Sequence, residues 1–537
     1  MSGNTAHLPA VGARILLSGH FGTIRFVGAV EGTQGIWLGV EWDDPARGKH
    51  DGVKDSRRYF TCRVPNSGSF IRPTAVGISY GTSFLKALFS KYTEAFHGAG
   101  IEKVVLGSSN GAIEVEAVGL DKIRSKLSNL RWLREVSLDD QGVASADPNG
   151  VIQRTCPSIR GLDLSKSLLP SWDVVTFIVS ELPALETLAL NDNRLAMPSF
   201  STPRFSEAFS KIKELQISST LTRWSETMHL VSCMPSLCIL ETGYNRLERL
   251  AITDGAPQTH AEHSTLRAIN FDGNSLHSWS DICSALASFM GLQRLILSSN
   301  SLTMIDERPD RQSSGIGHLK YLSLTANSLT DWRDIDRLYS WCPSIESLSV
   351  TGNPLLQDTH ARQFTVAKIP SLAVLDGAAI SPKERLDCEL FYLSYVAKYG
   401  PDDEAERCEA HPRWRELCAK HTFQDTPRLA GQGKHDTLGN RLFGIVAHQC
   451  AHPPSGTNID ATQTQTLKVL PSMSMRTFRM KIAKSFRLDK AEQPRLRIWL
   501  RMTDGTFSEL DVAEDTHDLA WWGLEDSSEI ILVTCKS

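Results

Sequence analysis

The sequence predicts a multidomain chain with three folded parts: a small all-β barrel at the amino end, a long α/β solenoid, and an α+β unit of β-grasp type. Three observations predict this. Glycines punctuate short, alternating apolar runs between Gly22 and Pro73. A leucine pattern then recurs from Leu133 to Leu372. Beyond Thr466, strand-like and helix-like segments follow one another in a compact order.

Composition bounds the function classes. With 537 residues, 41% of them hydrophobic, the chain can hold several domains that each bury a core. The formal charge of −4 and the lack of a basic block argue against a nucleic-acid binder. The amino-terminal stretch MSGNTAHLPAVGARILL has no basic start followed by a sustained apolar run. No apolar run reaches the ~18 residues that would span a membrane, so a soluble, cytoplasmic protein is expected. Eleven scattered cysteines without paired spacing fit reduced thiols. The run HQCAH (His448 to His452) comes nearest to a metal cluster. No second cluster lies at finger spacing, so a loop is expected there, with no metal and no cofactor.

In the first part, the pieces GTIRFVG, GIWLGVEW, GKHDG, RYFTC and GSFIRP follow in order between Gly22 and Pro73. Alternation in Thr23 to Val27 and Ile36 to Val40, bounded by glycines, gives short strands joined by tight turns. In GKHDG the flanking glycines would let backbone N–H groups approach a ligand, while Lys49 supplies a cation and His50 a directional hydrogen bond that can titrate near neutral pH. Such a surface suits the acidic carboxyl end of a peptide. The segment resembles the CAP-Gly domain, a microtubule and tubulin-tail reader of carboxyl-terminal Glu-Glu-Tyr/Phe sequences. The family loop is usually GKNDG, and His50 stands here in place of its asparagine; VEGTQG (Val30 to Gly35) lacks the aromatic most members carry. The resemblance implies that Trp37, Gly39, Lys49, His50 and Phe70 line a tail-binding groove. The cation and backbone amides would hold the terminal carboxylate.

The pattern L-x-x-L-x-L-x-x-N-x-L starts at Leu133, Ile159, Leu185, Ile212, Leu237, Leu266, Leu292, Leu319, Ile345 and Leu372, at intervals of 25 to 29 residues. Each repeat gives one short strand whose leucines enter a continuous core, and Asn193, Asn245, Asn274, Asn300, Asn327 and Asn353 can satisfy backbone groups where the chain turns. Trp172, Trp224, Trp279 and Trp332 each stand 13 residues before the next repeat and open helical segments such as WSDICSALASFMGL. They are expected as wedges between convex helices. The helical SPKERLDCELFYLSYVAKY (Ser381 to Tyr399) would cap the open end.

Charges near the strands of the early repeats are mostly acidic: Glu135, Asp139, Asp140, Asp163, Asp192, Glu214, Glu241 and Asp272, with Lys166 opposing. An acidic concavity would repel an acidic tail and prefer a basic patch on a folded partner, with Asp163, Asp192, Glu214 and Glu241 as the residues to hold it. Ordinary solvation of an exposed face is the alternative.

After the cap, Pro401 to Glu409 is charge-rich and HPPSGTNIDATQTQT (His452 to Thr466) has loop composition. TLKVLP, MRTFRMKIAKSFRL, PRLRIWLRM, SELDV and EIILVTC then resemble a ubiquitin-like β-grasp, entered by a strand at Arg441 to Gln449. Ending in VTCKS without a di-glycine, it is expected to be an interaction module. The expected division is 1–80 CAP-Gly domain, 81–130 linker and solenoid N-cap, 131–400 leucine-rich-repeat solenoid with its cap, 401–437 linker, and 438–537 ubiquitin-like domain.

This domain order resembles the tubulin-folding cofactors, specifically the kind that handles α-tubulin. The resemblance implies a monomeric, cytoskeleton-associated chaperone and no enzyme. It would receive α-tubulin, join it with β-tubulin held by cofactor D, and dismantle dimers with the ubiquitin-like cofactor B. GTP hydrolysis would belong to tubulin, stimulated with cofactor C. From the residues, no Walker loop, nucleophile elbow, zinc-protease helix or dinucleotide fingerprint is present, so no catalytic residue is assigned. A microtubule-associated adaptor would be expected to carry basic Ser/Pro-rich segments or long heptads. A leucine-rich-repeat scaffold with a different client is the remaining alternative.

Overall fold

The computed structural model describes residues 8–94, 105–106, 113–114, 130–198, 203–250, 265–308, 316–423, 442–454, 459–489, 492–502 and 504–534. The chain divides into two compact units, 1–424 and 425–537.

The first unit opens with a five-stranded antiparallel sheet in the order Gly68–Ile71, Ile36–Trp42, His20–Ala29, Arg14–Leu17, Ile78–Ser79. Alternation places Ile15, Leu17, Ile24, Leu38, Val40 and Trp42 in one small core. Buried Arg14 grips Asp43 through two bonds of 2.7 and 2.5 Å and donates a third to Thr23, a bidentate pair that fixes the sheet against the turn after Trp42. Thr82–Ser83 pairs with Val143–Ser145, and the helix Phe84–Phe89, capped by Ser83, buries Phe84, Leu85 and Leu88 in the solenoid core.

The solenoid sheet has ten parallel strands and one antiparallel closing strand, Ala378–Ala379. Every parallel strand begins two residues after the first leucine or isoleucine of its repeat, from Glu135–Ser137 to Val374–Leu375. The period-2 geometry of a strand sends the middle leucine inward and both its neighbours outward, so Val136, Leu162, Leu188, Leu215, Leu240, Ile269, Leu295, Leu322 and Leu348 stack in register. The six asparagines are buried in a ladder. Asn274 Nδ2 donates to the Thr242 and Phe271 carbonyls, while its Oδ1 accepts from the N–H groups of Asn245 and Leu247. Thr220 takes this position in the fourth repeat and donates to the Ile217 carbonyl.

Three tryptophans behave as wedges: Trp172, Trp224 and Trp279 begin helices and are buried in the main core. Trp332 differs. It precedes the helix Arg333–Trp341, is only partly buried, and packs edge-on to Phe364 at 5.3 Å where the repeat core meets the cap. The cap helix Pro382–Tyr399 is started by Ser381, whose side chain accepts the Glu384 N–H. The following stretch, expected as linker, instead begins with two helices, Glu404–Ala410 and Trp414–His421, whose Trp414 and Leu417 join the cap core. Charged residues at this junction are buried by pairing: Arg413 binds Glu416 and the Ala367 carbonyl, and Glu389 of the cap helix accepts from Lys420 and His421.

The second unit is a β-grasp. Its sheet runs Ala461–Val469, Phe443–Cys450, Glu529–Thr534, Leu496–Arg501, Phe507–Glu509, with the two central strands parallel and the helix Met475–Ser485 packed on one face. The HQCAH run, expected as a loop, starts as the end of the strand Phe443–Cys450, because both neighbouring strands continue to pair with it. Cys450 is buried against Ile531 and Val533 on the face opposite the helix. All described cysteines are free thiols, and no helix among the described residues is long and apolar enough to cross a membrane.

Candidate functional site

An open cleft of about 450 Å³ lies on the first β module, lined by Val30, Thr33, Trp37, Trp42, Arg47, Lys49, His50, Lys54, Ser69, Phe70 and Ile71. The structure brings four of the five expected residues together there: Trp37, Lys49, His50 and Phe70. Gly39 is not in the wall. It pairs with Phe70 in the sheet, and a Cβ at this position would run into the Phe60 ring, so it makes room for the aromatic floor. That floor is a cluster in which Phe70 meets His50 at 5.0 Å, Tyr59 and Phe60 at 5.5 Å and Phe26 at 6.3 Å. Trp37 donates its indole N–H to Thr33 at 2.7 Å and carries the Arg72 guanidinium over its ring at 3.7 Å.

The GKHDG loop differs from the expectation that its amides face a ligand. The N–H of Gly48 goes to the Pro45 carbonyl, those of Lys49 and His50 go to the Gly68 carbonyl, and that of Gly52 goes to His50 Nδ1. Side chains at Gly48 and Gly52 would collide with the backbone at Asn66, Ser67 and Phe60, and Gly52 has φ +78°. The glycines therefore serve the packing of the loop against its neighbours. Asp51 is likewise internal, accepting from Arg58 at 2.9 Å and from the Cys62 N–H, and Arg58 holds its carboxyl below the usual range.

His50 Nδ1, as the acceptor of the Gly52 N–H, carries no proton, which leaves the Nε2 proton of the neutral ring. Burial lowers its pKa, with Asp51 opposing and Lys49 adding to the effect. The lining residues that sequence reading missed include Arg47, Lys54 and Trp42. Arg47 ends the short helix Pro45–Arg47 and lies over the Trp42 ring at 4.1 Å. Among the described residues, no acidic side chain lines the cleft.

The second candidate surface is the outward face of the solenoid strands. Asp163, Glu214 and Glu241 stand on it, as does Glu135. Asp192 does not: it lies in the row of turns beyond the strands, beside Arg194, Ser219 and Lys166, with Asp43 of the β module close by. The strand acids are held by neutral groups. Gln216 donates to Glu214 at 2.7 Å, Asn270 to Glu241 at 2.6 Å, and the Ser165 N–H to Asp163 at 2.9 Å. None of these three, nor Glu135, forms an ion pair among the described residues. Burial raises the carboxyl pKa of Glu241 and of Glu135. Toward the later repeats the face changes character, with Arg294 stacked on Tyr321 at 3.9 Å.

A cleft-bearing β module, a leucine-rich-repeat solenoid and a ubiquitin-like β-grasp in one chain define a multidomain binding protein, and residues 11–76 match the family model of the CAP-Gly domain. Over longer spans the chain is 35% identical to mouse tubulin-specific chaperone E, covering 79% of this chain and 82% of that protein. It is 31% identical to the zebrafish protein of the same name, covering 97% and 98%, and 28% identical to the Arabidopsis thaliana tubulin-folding cofactor E, covering 95% and 94%. The chain belongs to the tubulin-specific chaperone E family.

Proposed function

We propose that this protein is a non-enzymatic tubulin-folding chaperone that binds α-tubulin at two places and, with other cofactors, assembles and dissociates the α/β heterodimer. The acidic carboxyl end of α-tubulin enters the cleft on the β module, and the tubulin body rests on the acidic strand face of the solenoid. The observation that carries the reading is the cleft itself: Phe70, His50 and Trp37 beside Lys49, Arg47 and Lys54, with no carboxylate in the wall among the described residues, in a chain related to tubulin chaperones along most of its length. Aromatic groups take the terminal side chain, and Lys49 supplies a charge-assisted bond to the carboxylate.

Titration of a labelled peptide ending Glu-Glu-Tyr into the full chain tests this. Lys49→Ala should weaken binding by the ~1.5–3 kcal/mol typical of a hydrogen bond to a charged group, and added salt should weaken the native protein's binding. Equal affinities for the two proteins would sink the assignment of the cleft. Capture of soluble tubulin subunits in preference to polymer separates a chaperone from a microtubule-associated adaptor.

A further inference from the structure

We propose that the helix Met475–Ser485 of the second unit carries a docking stripe for an extended acidic peptide, one in which an apolar residue stands between two carboxylates. The stripe is Arg476, Met480 and Lys484, spaced four apart along one face of the helix. All three are exposed, Met480 by 61%. The opposite face is spent on the unit's core through Phe478 and Ile482, which leaves the stripe to solvent.

Other cations of the unit are engaged. Arg479, on the same helix, binds Asp515 at 2.8 Å, and Lys481 donates to the Lys468 carbonyl. On the sheet, Arg497 pairs with Glu509 and Arg501 with Glu529. Among the described residues Arg476 and Lys484 have no carboxylate partner, and the helix contains no acid to neutralise them. Arg487, exposed just beyond the helix, adds a further unpaired charge at that end. Unneutralised charge gathered on one face draws in a ligand of opposite sign.

Spacing selects the ligand. Residues four apart on a helix are separated by about 6 Å along its axis. Residues two apart in an extended chain share a face and advance by about 6.6 Å. A segment reading acidic-x-apolar-x-acidic therefore sets its carboxylates over Arg476 and Lys484 and its middle side chain over Met480. The long basic side chains absorb the small mismatch, and the flexible thioether adapts to varied apolar shapes. A lipid surface or a nucleic acid suits the unit less well, because Asp504, Asp511 and Glu525 are exposed on it and would be repelled by a broad polyanion.

The test uses the full-length chain and labelled peptides amidated at the carboxyl end, so that no terminal carboxylate is read. One is Glu-Ser-Leu-Ser-Glu-Ser-Leu-Ser-Glu; the other holds the same residues reordered as Leu-Leu-Ser-Ser-Ser-Ser-Glu-Glu-Glu. The native protein should prefer the spaced peptide on the order of tenfold. Arg476→Gln combined with Lys484→Gln should abolish the preference and Met480→Ser should reduce it, whereas Arg497→Gln, which alters an engaged cation, should retain it. Arg476→Glu combined with Lys484→Glu should bind the spaced peptide with lysines in place of glutamates more tightly than the native protein does, a gain that misfolding cannot produce. Equal binding of the two acidic peptides by the native protein overturns the stripe, as does a preference that survives the Arg476 and Lys484 double substitution to glutamine or is lost in Arg497→Gln. Absence of the gain in the charge-reversed variant overturns it too. Binding of heparin or of phosphatidylserine vesicles at this helix without binding of the spaced peptide would assign the charge to a polyanion instead and overturn the peptide reading.

Discussion

His50 Nδ1 accepts the backbone N–H of Gly52 at 3.0 Å, so the residue that replaces the usual asparagine of the loop also shapes the turn that carries Lys49. Protonation would destroy that acceptor. Because burial lowers the folded-state pKa, the neutral ring contributes stability that is fully present above the ordinary value of 6.5 and is lost as pH falls through the lowered value.

Tail-peptide affinity is therefore expected to be flat between about pH 7 and 8, with His50→Asn showing the same plateau. The His50 imidazole resonances of the free protein should titrate with a midpoint below 6.5. An affinity change across pH 7 to 8 that disappears in His50→Asn would show instead that the ring is charged when the peptide binds.

A second pH effect belongs to the solenoid cap. Tyr392 OH and His411 Nδ1 share a bond of 2.9 Å, and burial, with Lys368 and Arg407 adding to it, pushes the His411 pKa down to about 4. The folded form resists protonation that the unfolded chain accepts. Stability of the first unit should hold above pH 6.5 and decline as the pH falls toward about 4. His411→Gln keeps a polar group without the titration, and its denaturation midpoints should fall less steeply over that window. Parallel slopes would remove His411 from the account.

Asn274→Ala is expected to lower the stability of the solenoid by about 2–4 kcal/mol, since it leaves the N–H groups of Asn245 and Leu247 without an acceptor inside the core. Tyr244→Phe, which removes an exposed bond to Asp272, should cost well under about 1 kcal/mol. Denaturant unfolding followed at the solenoid helices, apart from the β-grasp unit, makes the comparison. Similar losses for the two variants would mean the asparagine ladder carries no special load.

The solenoid was legible because its signal is local and repeated: leucine spacing alone places each strand to the residue. The cleft was legible in Trp37, Lys49, His50 and Phe70, which a motif dictates, but not in Trp42, Arg47 and Lys54 or in the work of its glycines. Gly48 and Gly52 abut Asn66, Ser67 and Phe60, contacts that appear only after the chain has folded back. Composition likewise hid the helices Glu404–Ala410 and Trp414–His421, because Arg407 and the flanking Arg413 find their carbonyl partners, Pro401 and Ala367, only in the folded chain. Asp192 and Glu214 look alike in a charge count, yet one follows its strand into a turn and the other sits on the strand.

That difference separates the last prediction into two arms. Glu214 and Glu241 are held by Gln216 and Asn270 and have no cation to lose, so Glu214→Lys with Glu241→Lys should leave the fold intact while reversing the field of the strand face. If the tubulin body rests there while its tail occupies the cleft, each contact raises the effective concentration of the other. The double reversal should then weaken capture of whole α-tubulin by at least roughly tenfold and leave the Glu-Glu-Tyr peptide unaffected. Asp192→Lys should act otherwise: with Arg194 and Lys166 beside it and Asp43 of the β module nearby, added positive charge disturbs the packing of the β module on the solenoid and should appear first as a lower melting temperature. Circular dichroism and melting curves must match the native protein before a capture defect of the double reversal counts. A folded Glu214 and Glu241 variant that captures tubulin normally would mean the strand face is ordinary solvated surface, and the tubulin body binds elsewhere on the chain.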